Sequence, residues 1–194
     1  MLSSKARRAF SSVVEPVGQS LARAGVTANT LTVLGLAGSA AAGVLVGTGH
    51  LFWGGAVSLL AGLPDMLDGA VAKASGSAGP RGAFFDSVVD RLSDAAVLIG
   101  VVFWAAADGP PRVAPLAAGV LALSLAVSYV KARAQSLGFD CEVGIAERPE
   151  RLIVLGAALV TGLVEPGLWL LLAATAITVG QRVVHVWRQA GVAS

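Results

Sequence analysis

Charge is scarce in this chain. Only 13% of its 194 residues are Asp, Glu, Lys or Arg, against about a quarter in a typical soluble domain. So small a polar fraction argues against a water-soluble globule. Cysteine is nearly absent too, and the lone Cys141 excludes an intrachain disulfide, so stability has to come from packing. No cleavable secretion signal is expected, because the basic start MLSSKARRAF is not followed by a continuous apolar core. There is no internal repeat and no low-complexity tract.

What fills the chain instead is apolar. The hydrophobic share is 55% and the mean hydropathy +0.76. Residues 30–49 form a stretch of twenty without a charge, and about 20 apolar residues suffice for a helix to cross a bilayer. Most of the 24 glycines lie in such runs, where small residues let helices approach closely. The pattern predicts an all-α integral membrane protein with six transmembrane helices, at 30–48, 51–74, 82–107, 113–137, 148–164 and 167–188. Breaks fall at GTGH, ADGPPR and VEPG.

With the N-terminus inside, Arg112 alone of the 14 Lys and Arg residues falls on the outer side, as positive-inside sorting requires. Trp53, Trp104 and Trp169 gather at the outer ends, where an aromatic belt belongs. The net charge of +2 and pI of 9.1 therefore report orientation and not nucleic-acid binding. The expected location is the cell membrane, multi-pass. Ahead of the spans, Ala6, Phe10, Val13, Val14, Val17 and Leu21 recur at helical spacing. Residues 1–24 thus read as an amphipathic interfacial helix, with Pro16 bending or restarting it. A single domain at 25–190 and a tail at 191–194 follow.

Five aspartates stand out in DMLDGAVAKASGSAGPRGAFFDSVVDRLSD, residues 65–94. An Asp at a helix centre costs about 2.5–3.5 kcal/mol on insertion scales. Several uncompensated ones would rival a domain's whole stability of roughly 5–15 kcal/mol. Asp65 and Asp68 sit three apart at the inner end of one predicted helix, and Asp86 and Asp90 four apart at the inner start of the next. Each pair shares a helix face, and the short connection lets the faces meet. A salt-bridge cluster with Lys73, Arg81 and Arg91 would satisfy them, as would a transporter's cation site. Four oxygen-donor carboxylates with no Cys or His nearby suit Mg2+ or Mn2+ better than zinc. Two such ions would clamp the attacking and leaving oxygens of a phosphoryl displacement. Gly69, beside them, lets a bulky ligand reach the backbone.

This stretch resembles the signature of the CDP-alcohol phosphatidyltransferase family, D-x2-D-G-x2-A-R-x8-G-x3-D-x3-D. Here it is carried by Asp65, Asp68, Gly69, Ala72, Lys73, Gly82, Asp86 and Asp90. Lys73 stands where the family has Arg; it keeps the charge but loses the planar fork. The segment GVTANTLT also departs, with Thr27, Ala28, Asn29 in place of Thr-Pro-Asn. The resemblance implies transfer of a phosphatidyl group from CDP-diacylglycerol to an alcohol with release of CMP, at a cytoplasmic active site. It further implies that Asp65, Asp68 and Asp86 bind a pair of metal ions, with Asp90 bridging as a further ligand or acting as general base on the acceptor hydroxyl, and that the protein is a homodimer. Asn29, Thr32, Asp65, Gly69, Lys73 and Ser77 are the candidate CDP-lipid contacts, and Asp94 is taken as structural support.

Basic residues indicate the acceptor. Lys131 and Arg133 end the fourth predicted helix, Arg148 and Arg151 begin the fifth, and Arg182 lies in the sixth. Positive-inside sorting explains such residues in general, but Arg182 follows an apolar run and should face the bundle interior. Cations converging near a metal site point to an acceptor that already carries phosphate. These segments resemble those of family members whose acceptor is inositol 1-phosphate. Glycerol 3-phosphate, giving phosphatidylglycerol phosphate, is the alternative acceptor, and a cation-coupled transporter the alternative of another class.

Overall fold

The structure is a computed structural model that describes residues 4–192, with side chains described from 14 to 191. It is all-helical among those residues. Seven helices follow in order: α1 Ser4–Arg23, α2 Ala28–Gly47, α3 Leu51–Ala74, α4 Pro80–Ala107, α5 Val113–Ser136, α6 Arg148–Thr161 and α7 Val164–Val192. Four of them, α2, α3, α5 and α7, are long and apolar enough to cross a membrane. The others depart for evident reasons. α1 carries Lys5, Arg7, Arg8, Glu15 and Arg23, α4 carries Arg81, Asp86, Asp90, Arg91 and Asp94, and α6 has only 14 residues.

Helix boundaries follow local chemistry. Thr27 caps α2, its hydroxyl accepting from the Thr30 amide at 3.2 Å. Ala28 thus stands at the first helical position, where proline fits without cost; the cap forms without it. α6 stops at Gly162, whose φ of +75° is left-handed, a conformation glycine adopts freely. The break expected at VEPG therefore comes earlier, and α7 begins at Val164 instead of 167. α7 also runs past 188 to Val192. α1 is continuous through Pro16. The expected apolar positions Ala6, Phe10 and Val13 lie outside the described side chains, as do residues 193–194 of the predicted tail.

α2 packs on α3 and α4, α5 on α4 and α7, and α6 on α3 and α7, while α1 lies along α3. The core runs through Val46, Val97, Val101, Val113, Val120, Leu159 and Leu168, all buried. Where α2 crosses α4, Gly43 and Gly100 abut backbone to backbone, leaving no room for a Cβ on either. That contact fixes the depth of α4 relative to α2 and so the height of its aspartates. The three tryptophans expected at the outer side share one end of the bundle: Trp53 starts α3, Trp104 ends α4 and Trp169 starts α7. Arg112 pairs there with Glu165 at 3.4 Å.

The opposite end is polar. Loop 137–147 is tied to α7, with Thr178 Oγ1 accepting from the amides of Ile145 and Ala146 at 3.2 and 3.0 Å. Gln189 bonds the Asp140 amide and carbonyl at 3.1 and 2.7 Å. This anchored loop delivers Arg148 to the start of α6.

Candidate active site

Two clefts open beside the start of α4. One is lined by Asn29, Thr32, Asp68, Gly69, Ser77, Arg81 and Asp86. The other is lined by Asp90, Arg91, Ser128, Lys131, Gln135, Arg148, Arg151 and Arg182. Ala83 lines both. Asp86 and Asp90 are one helical turn apart, so α4 turns Asp86 to the first cleft and Asp90, with Asp94 a further turn on, to the second.

On the first side, Thr32 is 2% exposed and its hydroxyl lies 3.1 Å from Asp68 Oδ2. Because the same oxygen is 3.0 Å from the Ala28 carbonyl, one proton is shared between two acceptors. Thr32 therefore orients Asp68. A Cβ at Gly69 would meet nothing within 4 Å, so the backbone there is open to the cleft as the sequence suggested. Ser77 bonds Ser75 at 2.8 Å on the rim. Lys73 is not brought in: its side chain is 80% exposed and its ammonium lies 3.8 Å from Glu15 of α1.

On the second side, Arg148 reaches between helices. Its Nη1 stands 2.6 Å from Asp65 Oδ2 and 2.7 Å from Asp90 Oδ1, and its Nε 3.5 Å from Asp94 Oδ1. Arg151 donates to Asp94 Oδ2 at 2.7 Å and to the Ala146 carbonyl at 3.1 Å. Lys131 pairs with Glu142 at 3.1 Å. Arg182 is 2% exposed, facing the bundle interior as expected. Its Nε and Nη1 donate to the Val143 and Val127 carbonyls, each at 2.8 Å, and its Nη2 is 3.4 Å from Glu147. Most of its donors thus staple loop 137–147 to α5.

Arg133 does not join this group. It is exposed and bonds Ser136 at 3.3 Å. Two residues along a helix is about 200° of turn, so 133 points away from the face that carries 131. The same periodicity could have found two lining residues that sequence reasoning missed, since Ser128 and Gln135 lie three before and four after Lys131. Arg91 was also missed as a cleft residue; it bonds the Ser87 carbonyl and, at 3.4 Å, that of Ser128.

The four aspartates occupy the two facing helix ends, but no group of three or more acidic, His or Cys side chains among the described residues is already arranged around an ion position. Asp68 is turned to Thr32, while Asp65 and Asp90 are turned to Arg148. The donor set still fits a hard divalent ion. All four are carboxylates, and Asp65 Oδ1 and Asp90 Oδ1 are buried with no aligned hydrogen-bond donor.

An apolar helical bundle with a carboxylate cluster between two polar clefts at one end is the outline of a membrane-embedded transferase acting on phosphorylated substrates. Residues 25–187 match the model of CDP-alcohol phosphatidyltransferase. The chain belongs to that family, and is an enzyme of that type. A phosphatidylinositol phosphate synthase of Mycobacteroides abscessus is 40% identical over 185 residues, covering 91% of this chain and 84% of the relative. The phosphatidylinositol phosphate synthase of Mycobacterium tuberculosis is 38% identical over 198 residues, covering 95% and 90%. A crystal structure of the M. tuberculosis synthase with CDP-DAG bound matches with a TM-score of 0.82 at 35% identity, over 91% of this chain and 94% of that one. Another, in complex with manganese and citrate, also gives 0.82 at 36% identity, over 90% and 88%.

Proposed function

We propose that this protein transfers the phosphatidyl group of CDP-diacylglycerol to inositol 1-phosphate, yielding phosphatidylinositol phosphate and CMP. The observation that carries this reading is the pair of clefts sharing α4, one carboxylate-lined and open at Gly69, the other lined by Lys131, Arg148, Arg151 and Arg182. The names and bound ligands of the similar synthases support it.

The first cleft takes the CDP-lipid, with Asn29, Thr32, Gly69 and Ser77 around the cytidine and pyrophosphate and Asp65 beside them in the carboxylate cluster. Asp65, Asp68, Asp86 and Asp90 would hold two Mg2+ or Mn2+ ions. Bound there, such ions supply charge stabilisation for the pyrophosphate and for the leaving CMP. The second cleft takes the acceptor, its phosphate held by the cations that line it. Asp90, on the shared helix, accepts the proton of the acceptor hydroxyl as its oxygen attacks the phosphatidyl phosphorus. The new P–O bond forms as the bond to CMP breaks. Lys73 and Arg133, which lie off the clefts, have no part in this scheme.

In the membrane, α2 to α7 make six crossings of the cell membrane with the clefts on the cytoplasmic side, and the protein works as a homodimer. Positive-inside sorting of Lys and Arg supports the orientation. α6 rises only about 21 Å, short of the roughly 30 Å hydrocarbon core, but its inner end opens on a polar cleft that spares Arg148 and Arg151 from lipid.

The test is CMP release from CDP-diacylglycerol with inositol 1-phosphate, free inositol, glycerol 3-phosphate or serine as acceptor. Turnover is expected with inositol 1-phosphate. Preference for glycerol 3-phosphate or for free inositol would overturn the acceptor assignment.

A further inference from the structure

Arg148 sits on the boundary between the carboxylates and the acceptor cleft, and it makes contacts on one side only. One nitrogen, Nη1, is within 2.7 Å of oxygens from Asp65 on α3 and Asp90 on α4. Those oxygens belong to residues that would also serve a divalent ion. A guanidinium and a dication compete for the same lone pairs and repel each other at that range. Its Nη2, in contrast, makes no hydrogen bond or ion pair among the described residues, although Arg148 lines the acceptor cleft beside Lys131, Arg151 and Arg182. The Nε end faces Asp94 Oδ1 at 3.5 Å without an aligned hydrogen bond, and Asp94 is itself fixed by Arg151 at 2.7 Å. The head of Arg148 therefore borders the carboxylates and the cleft at once.

Resting on the two-cleft reading above, we propose that Arg148 is a positioning residue that exchanges partners. It neutralises Asp65 and Asp90 until a divalent ion takes those carboxylates, and is then released to bind the phosphate of the acceptor. The consequence is an order of binding. An anionic acceptor gains its full set of cations only after the metal is seated on the donor side, so acceptor phosphate and metal favour each other through Arg148. Such coupling is reciprocal: each ligand tightens the other by the same factor.

The experiment measures Mn2+ and inorganic phosphate binding by titration calorimetry on detergent-purified protein, with no turnover involved. Wild type and Arg148→Gln are compared. In wild type, phosphate should bind about tenfold tighter with Mn2+ present, within the usual range of coupling between sites. Arg148→Gln should bind Mn2+ tighter than wild type, because the competitor is gone, and should lose the greater part of the coupling. Weaker or unchanged Mn2+ binding in Arg148→Gln would overturn the proposal, because a fixed structural arginine leaves the carboxylates misplaced when removed. Coupling that persists undiminished in the variant would overturn it too. If Arg148→Gln does not fold, wild type decides: phosphate affinity that ignores Mn2+ overturns the exchange. A wild type that binds no Mn2+ at all instead defeats the metal site of the proposed function, a separately readable result.

Discussion

Arg151 of α6 and Asp94 of α4 meet at 2.7 Å with both side chains largely buried. Asp94 also faces Arg148, so one carboxylate anchors both cations at the start of α6. Removing one partner of a buried ion pair typically costs about 3–5 kcal/mol, because the other charge is left uncompensated. Asp94→Asn should therefore lower the thermal unfolding temperature in detergent and raise the acceptor KM, while affinity for CDP-diacylglycerol stays near wild type. An unchanged melting temperature would show that the pair is not needed to hold α6 on α4.

Activity should require a divalent cation, and Asp65→Asn, Asp68→Asn and Asp86→Asn should each abolish CMP release in protein that still folds and inserts. The expectation rests on carboxylates brought to facing helix ends, two of them with buried oxygens lacking an aligned donor. Full turnover in excess EDTA would refute it.

Asp90→Asn should lose turnover more than it loses CDP-lipid affinity. Asp90 lines the proposed acceptor cleft, whereas Asp86 one turn earlier lines the other, so its expected role falls in the transition state. Normal kcat with weakened CDP-lipid binding would remove it from proton transfer.

The helices were legible because each apolar run is about the length of a helix and ends at glycine, proline or a polar cap. The aspartate pairs were legible because spacings of three and four survive any detail of packing. Partner choice was not. Lys73 fits the signature by position, yet nothing in the signature shows that α1 brings Glu15 to it. Arg182 was rightly placed inside the bundle, but the carbonyls of Val127 and Val143 that occupy it come from segments 55 and 39 residues away in sequence. Arg133 was readable after all, since its offset from Lys131 already puts it on another face.

The basic residues should divide into three kinds when replaced singly by Gln. Arg151, in the proposed acceptor cleft, should raise the acceptor KM about ten- to hundredfold, the worth of a charge-assisted hydrogen bond of roughly 1.5–3 kcal/mol, and should also lower the unfolding temperature because Asp94 loses its partner. CDP-lipid affinity should hardly move. Arg133, exposed and bonded only to Ser136, should leave KM and kcat unchanged. Arg182 should behave as a staple: the unfolding temperature falls because the Val127 and Val143 carbonyls and Glu147 lose their donor, with any loss of acceptor affinity following from a loosened loop 137–147. Steady-state kinetics with inositol 1-phosphate beside thermal melts separates the three. A strong KM effect at Arg133, or none at Arg151, would mean that the acceptor phosphate binds elsewhere than the cleft between α4, α5 and α6.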